Sequence, residues 1–386
     1  MTADRIYLDH AATTPMRSEA LAAMQEAVQD AGFNASSSHA EGRRARALLD
    51  ESRERVAALL GASRKEIVFT AGGTEADNAA ILGAVRAAGR AGRVVGTAIE
   101  HHAVLHAIEA LAAEGFATEL LPVGPDGEVD PERFAAAVRN GAILASVAYA
   151  NNELGTIAPV AELARLARDS GTLFHTDAVQ AAVWLPIDAH ALGVDLLCLS
   201  GHKFGGPKGV GVLYVRDGVP LAPILHGGGQ EFGRRSGTEN LLGIAGLARA
   251  LEAAAADRAE RAERVRGLRD RLQAGILATI SEVRVNGGAA ERLPNILNAG
   301  FAGLASEELL VRLDLEGVAV SAGSACASGA LEPSHVIAAL GLEPRWQRGT
   351  IRFSLGSATT AAEIEAVLAL LPRVVAELRG NTDSRP

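Results

Sequence analysis

The sequence predicts an α/β fold in which helices cover both faces of a mostly parallel sheet. Three observations carry the prediction. Short apolar runs alternate with helical patterns between about residues 60 and 215. Glycine-rich turns punctuate that alternation, and polar residues gather just after the runs. Beyond residue 240 the chain changes to long helical stretches and then to a second, smaller α/β unit.

Glu66 to Thr70 (EIVFT) reads as the first buried strand. The turn AGGTEAD leads into an alanine-rich helix from about Glu75 to Ala88. RVVGTAI (93–99) is a strand and AVLHAIEALAAEG (103–115) a helix. AILASVAYA (142–150) is the next strand, and PVAELARLARDSG (159–171) is a helix closed by its glycine. TLFHTDA (172–178) and DLLCLS (195–200) are two more strands. GVGVLYV (209–215) follows after only a short glycine loop, which suits an antiparallel addition. From Leu241 the sequence reads as one long helix or two, with arginine and glutamate at the spacing of a solvated face. The expected organisation is a large domain over 15–256 and a small domain from 1–14 with 257–376. Residues 377–386 are expected to be a disordered tail.

Composition narrows the function. The 386 residues are 48% hydrophobic and 22% charged, a globular balance. A net charge of −9 lacks the basic footprint of a nucleic-acid binder, and 4% aromatic residues are too few for base-stacking platforms. No apolar run reaches the ~18 residues that span a bilayer. The N-terminus carries charges where a signal peptide needs an apolar stretch, so a cytoplasmic location is expected. Two cysteines, Cys198 and Cys326, cannot build a disulfide framework or a four-cysteine zinc site, and no metal is expected.

Ligands of open α/β sheets bind at the carboxyl ends of the strands. Thr74 follows the first run, His101 the second and Asn152 the third. Asp177 and Gln180 end the fourth, and Ser200, His202 and Lys203 the fifth. The glycines of AGGTEAD let the backbone approach an anion, and the helix behind them presents unpaired N–H groups, which suits a phosphate. Alone, it is an ordinary strand-to-helix turn. Lys203, in SGHKFGGPKG, sits where a desolvated amine becomes nucleophilic; Lys208 on the same turn is its rival. Asp177 lies where a carboxylate can hold a protonated pyridine nitrogen, or can simply cap the next helix. Cys198 lies inside an apolar run and reads as a core thiol. Cys326 is surrounded by glycine, serine and alanine, as suits a thiol that moves between partners.

Together, HKFGGPKG, HTDAVQ, GGTEADN, EHHAVL and SAGSACASG resemble the cysteine desulfurases. The likeness is greatest to the NifS/IscS-like group that feeds iron–sulfur cluster assembly. YLDHAATTP, NNELGTIAP, GGGQEFGRRSGTEN and IRFSLG extend it from about residue 6 to 370. The resemblance implies a fold-type I, pyridoxal-phosphate-dependent transferase of the class V aminotransferase group. It implies a seven-stranded, mostly parallel sheet in the large domain, a smaller C-terminal α/β domain and a homodimer. By position, Lys203 is similar to the Schiff-base lysine and Asp177 to the partner of the pyridine nitrogen. Gln180 would contact the phenolic oxygen, and His101 would stack on the ring and act as acid or base. Gly73, Thr74, Ser200 and His202 would hold the phosphate, with Thr238 reaching over from the second subunit. Asn152 would touch cofactor and substrate, and Arg352 would grip the substrate carboxylate. Cys326 would take sulfur from L-cysteine and pass it to an acceptor such as an iron–sulfur scaffold. The ending RGNTDSRP differs from the extended tail that some relatives use to dock a scaffold. A selenocysteine lyase, an aminotransferase of the same fold and a non-catalytic sulfur-transfer scaffold stay open as alternatives.

Overall fold

The computed structural model describes residues 5–89, 91–139, 141–323 and 333–382. The chain opens with β1 (Ile6–Tyr7) and the helices α1 (Ser18–Ala31) and α2 (Ala40–Leu59). A seven-stranded sheet follows. Its strands are β2 (Ile67–Thr70), β3 (Arg93–Thr97), β4 (Ala117–Leu121), β5 (Ala142–Ser146), β6 (Leu173–Asp177), β7 (Leu196–Ser200) and β8 (Gly211–Val215). Their spatial order is β2-β8-β7-β6-β5-β3-β4. Only β8 runs against its neighbours β7 and β2, as the short loop before it predicts. Strands buried on both faces need continuous apolar sequence, and β2, β5, β7 and β8 are buried at every position.

The covering helices are α3 (Gly73–Ala87), α4 (His102–Ala113), α5 (Pro131–Val138) and α6 (Val160–Asp169), with the short α7 (Ala181–Trp184) and α8 (Ala189–Leu192). The expected long helical stretch is two helices, α9 (Leu241–Ala256) and α10 (Arg258–Thr279), which break at Asp257. Two expected strands end early: β3 stops at Thr97 and β5 at Ser146. The residues after them turn toward the cavity described below.

The C-terminal part carries β9 (Val283–Asn286), β10 (Ile296–Phe301), α11 (Ser306–Leu315), β11 (Val318–Ala319), α12 (His335–Ala339), α13 (Pro344–Gln347), β12 (Thr350–Ser354) and α14 (Ala361–Thr382). β12, β10 and β9 form an antiparallel sheet, and β1 pairs parallel with β11. The N-terminal segment therefore lies against the C-terminal part. One expectation needs correction. The disorder predicted from residue 377 does not hold as far as Thr382, because α14 continues to that residue. Leu378 is buried, and Arg379 donates to the carbonyls of Ser281, Glu282 and Ala302, so this turn has tertiary partners that its polar sequence hides.

Candidate active site

The parallel strands end on one cavity of about 950 Å³. Gly73, Thr74, His101, Asn152, Asp177, Gln180, Ser200, His202, Lys203 and Arg352 all line it. Polar residues that the sequence places at separate strand ends thus share one space, because a parallel sheet points those ends the same way.

One end is built for an anion. Gly72 has φ +152°, a conformation open to glycine, and it starts the fifteen-residue helix α3. A Cβ at Gly73 would stand 3.1 Å from Val179 Cγ2 and 3.3 Å from Ser200 Cβ. Glycine there lets the α3 N-terminus approach the end of β7. Burial, with Lys203 and Lys208 nearby, pulls His202 down to about 4, so its ring is neutral at pH 7. Its Nδ1 lies 3.0 Å from Thr13 Oγ1.

The floor is acidic. Asp177 ends β6 and accepts the Val179 N–H at 2.9 Å. Asp77, His101 and Asp177 bring their polar atoms within 4.8 Å of one another. Burial raises both carboxyls, and Asp177 raises Asp77 further; His101 and Lys203 pull Asp177 back down. Asp77 faces instead the ring of His175 at 3.6 Å, which burial keeps neutral, so Asp77 holds the proton and Asp177 the negative charge. Burial also lifts Glu100 to about 8. Behind them His175, pushed down to about 3 by burial, lies 2.8 Å from Ser146 Oγ and 3.1 Å from Cys198 Sγ. Cys198 is a buried thiol, as its apolar run predicts.

Lys203 closes the turn after β7. Its Nζ donates to the carbonyls of Ala11 at 2.6 Å and Ala12 at 2.8 Å. Lys208 also lines the cavity but is exposed, whereas Lys203 is half-buried. Gln180 Nε2 donates to the Ala11 carbonyl at 2.9 Å. His101 is the N-cap of α4; its Nδ1 accepts the Ala103 N–H at 3.1 Å, which leaves the neutral ring's proton on Nε2. Burial lowers its pKa, opposed by Asp177 and assisted by Lys203.

Arg352 reaches in from β12, only 1% exposed. It pairs with Asp9 at 2.7 Å and donates to the Asn152 carbonyl at 2.9 Å. Among the described residues its Nε has no partner. Thr238 is exposed and does not line this chain's cavity. Cys326 lies outside the described residues. The chain leading to it is fixed where Ser321 pairs with the Arg352 backbone, and the chain beyond it where Ser334 Oγ donates to Glu153 at 2.6 Å.

Sequence reasoning missed the N-terminal contribution. Asp9 and Ala11 to Thr13 reach the site although about 190 residues separate Lys203 from its carbonyl partners. It also missed Asp77, one of two acids in the first turns of an otherwise alanine-rich helix.

Known proteins resemble this chain over nearly its whole length. The family described as Aminotransferase class-V matches residues 6–367. A cysteine desulfurase IscS of Dictyoglomus turgidum is 45% identical over 375 residues, covering 97% of this chain and 95% of that one. A solved NifS-like protein superposes with a TM-score of 0.90 at 35% identity, covering 97% of this chain and all of the other. A structure of SspA in complex with cysteine gives 0.81 at 34% identity, covering 92% of this chain and all of the other. The chain belongs to the class-V aminotransferase family and, within it, to the cysteine desulfurases.

Proposed function

We propose that this chain takes sulfur from L-cysteine, releases L-alanine and carries the sulfur as a persulfide on Cys326. The observation that supports it most is the meeting of a lysine amine, a buried acid, an imidazole and a buried arginine in one cavity. Pyridoxal phosphate fits these residues: the α3 N-terminus with Thr74, Ser200 and His202 suits its phosphate, and charged Asp177 suits its ring nitrogen. When bound, that cofactor supplies an electron sink for the bond broken at the substrate Cα.

The chain's own groups then divide the work. Lys203 anchors the cofactor and moves the Cα proton. Gln180 contacts the phenolic oxygen. His101 covers the ring and, with its proton on Nε2, serves as the acid. Asn152 and Arg352 orient the substrate carboxylate; Arg352 is already held flat by Asp9 and the Asn152 carbonyl. The Cys326 thiolate attacks the substrate sulfur, so an S–S bond forms as the substrate's Cβ–S bond breaks. The protein works in the cytoplasm as a homodimer, passing sulfur to an acceptor such as an iron–sulfur scaffold. Among the described residues no helix is long and apolar enough to cross a membrane.

Mass spectrometry after exposure to cysteine tests the proposal. The wild type gains one sulfur at Cys326. Cys326→Ala keeps the yellow cofactor but makes no alanine, and Lys203→Ala loses the colour. Alanine production at the wild-type rate by Cys326→Ala would overturn the assignment.

A further inference from the structure

Beside the cavity stands a cluster of histidines to which this chemistry gives no task. His102 and His106 lie one turn apart on α4, and His335 opens α12. The His102 ring centre is 5.2 Å from that of His106 and 4.6 Å from that of His335. We propose that His102, His106 and His335 form a binding site for a borderline divalent cation such as Zn²⁺, bridging α4 to α12.

The spacing of His102 and His106 suits a shared metal, although the ligand atoms of all three histidines do not lie within 4.8 Å of one another before the side chains rotate. Zinc sits about 2.1 Å from an imidazole nitrogen, which places it roughly 3.2 Å from the ring centre. Two imidazoles at a tetrahedral angle then have centres roughly 5.2 Å apart, the value between His102 and His106. Positions i and i+4 of a helix share a face, so one cation can reach both side chains without bending the backbone.

The third ligand is oriented in advance. His335 Nε2 donates to the Glu100 carbonyl at 2.9 Å, which fixes its proton there and leaves a lone pair on Nδ1. An outer hydrogen bond of this kind accompanies metal-ligating histidines and sets their tautomer. Glu109, exposed on the next turn of the same α4 face, offers a carboxylate for a fourth position. The three rings are tilted by 31° and 50°, so binding adds imidazole rotation about Cβ–Cγ. His106 is exposed and has room to make it. His101 is excluded, since it serves Asp177 and the cavity. An occupied site would tie α4, capped by His101, to the helix that follows the Cys326 segment.

Calorimetric titration of the untagged, cofactor-loaded, full-length protein with ZnCl₂ tests this. The wild type should bind one Zn²⁺ whose affinity falls at least about tenfold in each of His102→Ala, His106→Ala and His335→Ala. His106 is exposed, so its variant keeps the fold and a loss there reports ligation. Bound Zn²⁺ that survives all three substitutions and disappears only in Cys326→Ala would place the metal on the thiol and overturn the site. No binding by the wild type would overturn it as well.

Discussion

The most informative single residue is His101, because two separate facts fix its state. Its Nδ1 accepts a main-chain N–H, and burial holds its pKa below the ordinary imidazole value. Both favour the neutral ring with its proton on Nε2. Activity that depends on this neutral form should hold from pH 8 down past about 6.5, the free imidazole value, and fall only as the lowered pKa is passed. A pH–rate profile on kcat checks this: in His101→Gln the acidic limb should vanish along with most of kcat. Activity that is instead lost as the pH rises through the ring's pKa would mean the ring works as a cation. This residue was legible in EHHAVL because it follows an apolar run. Its companion Asp77 was not, since a helix pattern does not say which of its polar residues turns inward. Arg352 was legible as a carboxylate ligand by resemblance, but its pairing with Asp9 joins residues 343 apart and no local pattern encodes it.

At the level of elements, one buried ion pair sets the segment that carries Thr238. Arg53 of α2 grips both Glu231 carboxylate oxygens at 2.7 Å and donates to the Ile67 carbonyl at 2.6 Å. Glu231 also accepts the Phe69 N–H at 2.8 Å. Glu231 and Phe232 both have positive φ, 48° and 59°, a strain of about 1–3 kcal/mol each that this anchoring offsets. From here Arg235 reaches Glu75 of α3 at 2.8 Å, beside the anion end of the cavity. Arg53→Ala leaves a buried carboxylate uncompensated and should cost about 3–5 kcal/mol, read from the urea midpoint. It should also weaken cofactor binding, through the displaced Arg235. A loss below about 1 kcal/mol would show the pair to be incidental. The sequence made the central strands plain because burial on both faces leaves only apolar residues to choose. It hid β4, an edge strand exposed at three of its five positions, whose ATELL lacks an apolar run.

At the scale of the whole molecule, the resemblance puts one ligand of each cavity on the other subunit. Thr238 is exposed and lines no part of its own chain's cavity, although Arg235, three residues before it, touches that cavity's rim. Mixed dimers separate the two arrangements. Lys203→Ala subunits lack the anchoring amine, and Thr238→Ala subunits weaken the phosphate grip. If Thr238 acts across the interface, a dimer of one of each contains one cavity with both defects and one with neither. Random re-association makes about half of the dimers mixed, so an equimolar refolded mixture should regain roughly a quarter of wild-type activity at limiting cofactor. If Thr238 serves its own chain, every cavity carries one defect and the mixture should do no better than the average of its parents. Titrating cofactor distinguishes the cases further, because only the restored cavity should saturate at the wild-type concentration.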